Sequence, residues 1–207
     1  MRLLRMVGLL LVMGSAPLSQ GRAADTIVIA ALGDSLFSGF GIAAGESFPA
    51  QLEQRLKGDG YSVSVVNYGI SGDTTAGGVN RVDAIIQQKP YMILLGLGAN
   101  DLLRGVPPAE TRKNLDAIMA RIHKAGIKMI LTTMQAPLTL GVQYAEAYNG
   151  MYPELAGTYG ATMTPFLLAH VFGNPQYMQA DGAHPNKDGV LVMVNNVYQT
   201  VATSLPK

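Results

Sequence analysis

With 207 residues the chain has enough length for one domain with a substantial core, and too little for two of ordinary size. Its 15 basic residues nearly balance 14 acidic ones, a net charge of +1, which offers no basic patch to nucleic acid and no polybasic run to anionic lipid. Cysteine is absent, which excludes disulfides, thiolate metal sites and a lipidated cysteine anchor.

The first element in the chain is not part of the domain. Arg2 and Arg5 precede an apolar stretch, 6–13, that is too short to cross a bilayer. Gly21 and Ala23 then place small residues at −3 and −1 of a cut before Ala24. Residues 1–23 read as a secretory signal peptide, with an uncleaved membrane anchor as the alternative. Cleavage leaves a single domain, 24–207, exported to the periplasm or beyond, with no stable membrane insertion. Losing Arg2, Arg5 and Arg22 and no acid leaves 12 basic against 14 acidic residues, a charge of −2.

Apolar runs and amphipathic stretches then alternate. Residues 26–32 form a continuous β-rich run, and 47–57 a helix with Ser47 as its cap and Phe48, Leu52 and Leu56 on one face. A valine-rich strand at 62–67 precedes a helix at 79–88, which stops at Lys89-Pro90. A strand at 91–97 is followed by a helix at 108–124 that opens on a proline and closes at Gly126. The last strand of this kind is 127–133, with helices at 144–159 and 189–204 to finish. Continuous apolar runs mark strands buried on both faces, so the alternation predicts an α/β fold: a three-layer α/β/α sandwich around one parallel sheet.

In open parallel sheets, ligands bind beyond the carboxyl ends of the strands. Three polar, glycine-rich blocks fall at those ends: Gly33-Asp34-Ser35-Leu36, Asn67 to Thr74, and Gly96 to Asp101. Their glycines are expected to permit positive φ and to let the backbone approach a substrate. A fourth block, Asp181-Gly182-Ala183-His184-Pro185, precedes the last helix. Ser35, His184 and Asp181 together supply a hydroxyl, a base to deprotonate it and a carboxylate to orient that base. Asp181 and His184 lie close enough in sequence for a tight turn to bring the carboxylate to Nδ1 and leave Nε2 for the serine.

Four blocks in this order resemble the SGNH (GDSL) hydrolase family, and most closely its bacterial thioesterase I, arylesterase and lysophospholipase branch. The resemblance covers nearly the whole mature chain. It implies a flavodoxin-like fold with about five parallel strands, no cofactor, and a serine esterase that cleaves aryl or short-to-medium acyl (thio)esters through an acyl-enzyme. It also assigns the oxyanion donors as the backbone N–H groups of Ser35 and Gly72 and the side-chain amide of Asn100. The family usually carries glycine before that asparagine. Here the position is Ala99, whose methyl group is expected to narrow the pocket mildly.

Other residues receive plainer readings. His123 falls at a helix end and His170 follows an apolar triplet, so neither is the expected base. Asp34, Asp73 and Asp101 adjoin turns and are expected to bond local backbone N–H groups. Asp188 or Asn186 is expected to cap the last helix. Neither Gly96-Leu97-Gly98 nor Gly39-Phe40-Gly41 completes a dinucleotide fingerprint, and no histidine cluster suggests a metal. Leu138, Leu140 and Met178 are candidates for an apolar wall around a small-molecule acyl ester or thioester. A carbohydrate O-acetyl esterase and a non-catalytic acyl-binding protein are the alternative functions. The oligomeric state is not legible.

Overall fold

The computed structural model describes residues 26–206. The signal-peptide reading falls on residues outside that range. Five strands form the sheet: β1 (Ile27–Gly33), β2 (Val63–Gly69), β3 (Met92–Gly96), β4 (Lys128–Thr133) and β5 (Thr162–Phe166). All neighbours are parallel, in the order β2-β1-β3-β4-β5. Among the described residues seven α-helices accompany them: α1 (Ser35–Ser38), α2 (Phe48–Gly58), α3 (Thr75–Gln87), α4 (Ala99–Leu103), α5 (Pro108–Lys124), α6 (Val142–Tyr159) and α7 (Lys187–Ser204). Helices α3, α5 and α6 pack together over one face of the sheet, and α2 and α7 over the other. This is the predicted three-layer sandwich.

The continuous apolar runs lie where their composition sends them. Ile29 to Leu32 of β1 and Met92 to Leu95 of β3 are fully buried, with helices above and below. β5 is a different kind of strand. Its sequence, Thr-Met-Thr-Pro-Phe, is polar on alternate residues and contains Pro165, which an edge strand tolerates because one side needs no ladder donor. β5 pairs only with β4, through a register shift.

Two helix starts differ from expectation. Ser47 occupies the N-cap of α2, but its hydroxyl donates backwards to the Ala44 carbonyl at 2.8 Å, and the helix starts at Phe48 with Pro49 in its first turn. α3 begins at Thr75, four residues before the predicted start, and runs through Gly77 and Gly78. A Cβ on Gly78 would meet Leu97 at 2.4 Å and Ile118 at 2.9 Å, so close packing of α3 explains a glycine of low helix propensity. For α7, Asn186 is the cap: its Oδ1 accepts from the N–H groups of Asp188 and Gly189.

The strand order reverses direction between β1 and β3, the crevice where such sheets bind ligands. The turns after β1, β2 and β3 carry the first three polar blocks to that edge. Among the described residues, no helix is long and apolar enough to cross a membrane.

Candidate active site

Ser35 is the first residue of α1, directly after β1 and the cap residue Asp34, whose Oδ1 accepts from the Leu36 N–H at 3.0 Å. His184 arrives from the far end of the chain on a turn closed by its own backbone. The Gln179 N–H donates to the His184 carbonyl at 2.8 Å, and Met178 bridges Pro185. Within that turn Asp181 Oδ1 accepts the N–H groups of Ala183 (2.9 Å) and His184 (3.0 Å). Its Oδ2 lies 2.7 Å from His184 Nδ1, and His184 Nε2 lies 3.0 Å from Ser35 Oγ. With the Nδ1 proton donated to Asp181, Nε2 is free to accept the serine hydroxyl.

The His184 ring hydrogen bond, followed by the two backbone N–H groups, holds the Asp181 carboxyl down to about 2. A depressed acid keeps its contribution until pH falls through that value, so Asp181 stays anionic wherever an imidazole is neutral. It can orient the ring and stabilise the imidazolium without taking the proton.

Gly72 and Asn100 stand on the neighbouring turns. Gly72 has φ +78°, a conformation suited to glycine, and its carbonyl accepts from Arg104 at 2.7 Å. Neither the backbone N–H of Ser35 nor that of Gly72 has an acceptor among the described residues, and the Asn100 amide has no partner there either. By contrast, the amides of Asn67, Asn149 and Asn196 are committed to backbone carbonyls. The turn carrying Asn100 is held from below. Tyr148 donates to the Gly98 carbonyl at 2.8 Å and Tyr152 to the Leu97 carbonyl at 3.2 Å, both from inside the core. A Cβ on Gly98 would meet those two hydroxyls at 2.8 and 2.3 Å. Ala99, in the first turn of α4, is half-buried and packs against the core.

At the ends of β1, β2 and β3 the glycines do something other than expected. Gly33, Gly69 and Gly96 are outside the positive-φ region, and a Cβ on each would collide with the protein itself. Gly33 and Gly96 admit the Phe37 ring at 2.3 and 2.4 Å from such a Cβ, and Gly69 admits the Ser38 backbone at 2.3 Å. They let α1 sit down on the strand ends, which fixes where Ser35 points.

Two of the aspartates also differ from the local-turn reading. Asp73 pairs with Arg81 of α3, whose guanidinium also donates to the carbonyls of Tyr68 and Gly33. Arg81 therefore ties β1, β2 and the Gly72 turn together. Asp101 reaches across to the start of α3, accepting the N–H of Thr75 at 2.9 Å and its hydroxyl at 2.5 Å.

Asp34 keeps its local bond, but its Oδ2 is buried without a partner. Burial, against the opposing Leu36 N–H bond, pushes its carboxyl up to about 6. Between the ordinary 3.8 and that value the folded state holds a proton the unfolded state has lost. Stability should therefore fall as pH rises through this window. Asp34→Asn should flatten that slope, and thermal unfolding of both forms from pH 4 to 7 measures it. Parallel curves would mean that Asp34 is not the group responsible.

The apolar candidates separate. Leu138 and Leu140 are exposed, on a short 3₁₀ turn (Leu138–Leu140) after β4. Met178 is packed into the core beneath the His184 turn, so its side chain supports that turn and is not part of an open wall. His123 is bonded to the Tyr159 carbonyl at 3.2 Å and His170 is exposed in a turn. Among the described residues, no group of three or more His, Asp or Glu side chains is gathered as a metal site.

Comparison with known proteins gives concordant matches. A family model described as the GDSL-like lipase/acylhydrolase family matches residues 31–191. An esterase TesA of Pseudomonas aeruginosa is 36% identical over 185 residues, covering 89% of this chain and 91% of that protein. A thioesterase 1/protease 1/lysophospholipase L1 of Escherichia coli K12 is 39% identical over 167 residues, covering 80% of this chain and 78% of that protein. A crystal structure of TesA superimposes with a TM-score of 0.82 at 35% identity, covering 86% of this chain and 99% of that one.

Proposed function

The chain belongs to the GDSL-like lipase/acylhydrolase family, and from that premise we infer that it is a serine esterase for carboxylic esters and thioesters with aryl or short-to-medium acyl groups. The observation that carries the reading is the relay from Asp181 through His184 to Ser35, at 2.7 and 3.0 Å, beyond the carboxyl ends of a parallel sheet. Ser35 Oγ attacks the carbonyl carbon while His184 Nε2 takes its proton. The negative charge that develops on the carbonyl oxygen is received by the N–H groups of Ser35 and Gly72 and the Asn100 amide. Collapse breaks the bond to the alcohol or thiol, which leaves with the proton from His184. Water, deprotonated by the same nitrogen, then attacks the acyl-enzyme, releasing the acid and restoring Ser35. No step calls for a cofactor.

The exposed Leu138 and Leu140 support an apolar acyl site that is open and short. The Arg2–Arg5 charge and the 6–13 apolar stretch support export, which makes lipid fragments and external esters the accessible substrates. Initial rates on p-nitrophenyl esters from acetate to palmitate test the substrate range. We expect comparable kcat/KM from acetate through about octanoate and a decline by palmitate. Activity confined to acetate, together with release of acetate from acetylated sugars, would replace this reading with an O-acetyl esterase. Folded protein inert on every ester would favour acyl binding without catalysis.

A further inference from the structure

The Phe40 side chain lies against the His184 imidazole, and the mechanism above does not use it. The ring centroids are 4.5 Å apart with the planes tilted by 38°. One side of the phenyl ring is thus occupied by the imidazole, yet the residue remains 48% exposed. Core packing does not explain an aromatic left half in water, and simple fraying does not either, because the backbone is fixed on both sides. The Phe40 N–H donates to the Ser35 carbonyl at 3.4 Å, and the Phe40 carbonyl accepts from Gln179 Nε2 at 2.7 Å. The same Gln179 amide also donates to the Pro185 carbonyl at 2.9 Å, which locks the Phe40 segment to the His184 turn. Gly39 and Gly41, at φ +80° and +75°, frame the residue, and a Cβ on Gly41 would meet Gln179 Oε1 at 2.2 Å.

The position of this ring relative to the chemistry gives it a use. In acyl transfer the leaving oxygen or sulfur must come within hydrogen-bond reach of His184 Nε2, because that nitrogen protonates it. The group attached to the leaving atom therefore emerges beside the imidazole. The oxyanion donors stand on the turns after β1, β2 and β3, so the carbonyl oxygen is directed away from the His184 turn. An aromatic ring held rigidly against the imidazole offers an offset-stacking or edge-on surface with little ordering cost on binding.

We propose that Phe40 is a specificity-determining residue that forms a leaving-group shelf beside His184 and selects esters whose departing alcohol or thiol carries an aromatic or flat apolar group. The inference rests on the acyl-transfer reading above and deepens it. It assigns the leaving-group side of the site, while Leu138 and Leu140 concern the acyl side.

The experiment compares phenyl butyrate with hexafluoroisopropyl butyrate, an alkyl ester whose leaving alcohol is of similar acidity. The parent, Phe40→Ala, Phe40→Tyr and Ser35→Ala proteins are assayed on both. The readout is the ratio of kcat/KM for the aryl to the alkyl ester, in which any shared effect on His184 cancels. Phe40→Ala should lower this ratio roughly three- to tenfold, the fold-change expected of one aromatic contact. Phe40→Tyr, which keeps the ring, should retain the ratio. An equal loss on both esters would overturn the shelf and leave Phe40 a positioning residue for the imidazole, and an unchanged ratio with unchanged rates would overturn it too. Turnover that survives in Ser35→Ala would instead overturn the serine mechanism and the shelf with it, so the two failures are distinguishable.

Discussion

Ser35→Ala is expected to lower kcat for p-nitrophenyl butyrate by on the order of 10⁴–10⁶-fold, the scale seen when an activated serine nucleophile is lost. The loss is chemical, because alanine keeps what Ser35 contributes to the fold. Its carbonyl still accepts from Ser38 Oγ and the Gly39 N–H, and α1 still seats Phe37 against Gly33 and Gly96. The unfolding midpoint should therefore move by only a degree or two. His184→Ala should cost nearly as much, and the double variant scarcely more than either. Groups that act as one unit are non-additive: once the nucleophile is missing, its base has nothing to do. Independent losses that multiply in the double variant would contradict a relay. A Ser35→Ala protein within tenfold of the parent would remove Ser35 from the reaction altogether.

What the sequence makes legible here is governed by how local the cause is. β1 and β3 were readable because burial on both faces demands unbroken apolar runs, and Ile29–Leu32 and Met92–Leu95 supply them. β5 was not. An edge strand of five residues that contains Pro165, buries the polar Thr164 and exposes Met163 shows neither a continuous apolar run nor an apolar face turned inward, and it owes its existence to pairing with β4. Short α1 and α4 were also hidden, since four or five residues cannot show a helical period. The early start of α3 was masked by Gly77 and Gly78, whose poor helix propensity is overridden by packing.

The same distinction runs through the site. Ser35, Asp181 and His184 announce themselves through short motifs whose residues have few other reasons to sit together. Their supports do not. Arg81 looks like any helical arginine until the fold brings it to the carbonyls of Gly33 and Tyr68, up to 48 residues away. Gln179 bridges segments 139 residues apart, and Tyr148 and Tyr152 hold backbone 50 and 55 residues upstream. Each is a polar or aromatic residue whose partner is a main-chain carbonyl, and a carbonyl leaves no trace in sequence. The strand-end glycines misled in a related way. Gly33, Gly69 and Gly96 suggest room for a substrate, whereas the space they open is filled by Phe37 and Ser38.

The second large effect is expected at Asn100. Asn100→Ala should reduce kcat by on the order of 10²–10³-fold, about 3–4 kcal/mol of transition-state stabilisation, with KM changed little. The split follows from where the amide acts. A neutral substrate carbonyl gains modestly from the hydrogen bond, while the tetrahedral oxyanion gains much more, so removing the donor penalises the transition state selectively. Stability should hardly change, because the Asn100 amide has no partner among the described residues and the turn is carried by Tyr148, Tyr152 and Gly98. Asn100→Asp separates donor from shape. It is nearly isosteric, yet it places an acceptor, and at neutral pH a negative charge, where the oxyanion forms, so it should be no better than alanine. A rise in KM with kcat retained would instead make Asn100 a ground-state binding group, leaving the two backbone N–H groups of Ser35 and Gly72 as the oxyanion donors. Restoring glycine beside it, as Ala99→Gly, should leave the kcat loss of Asn100→Ala intact, because the missing donor and not the neighbouring methyl group limits the reaction.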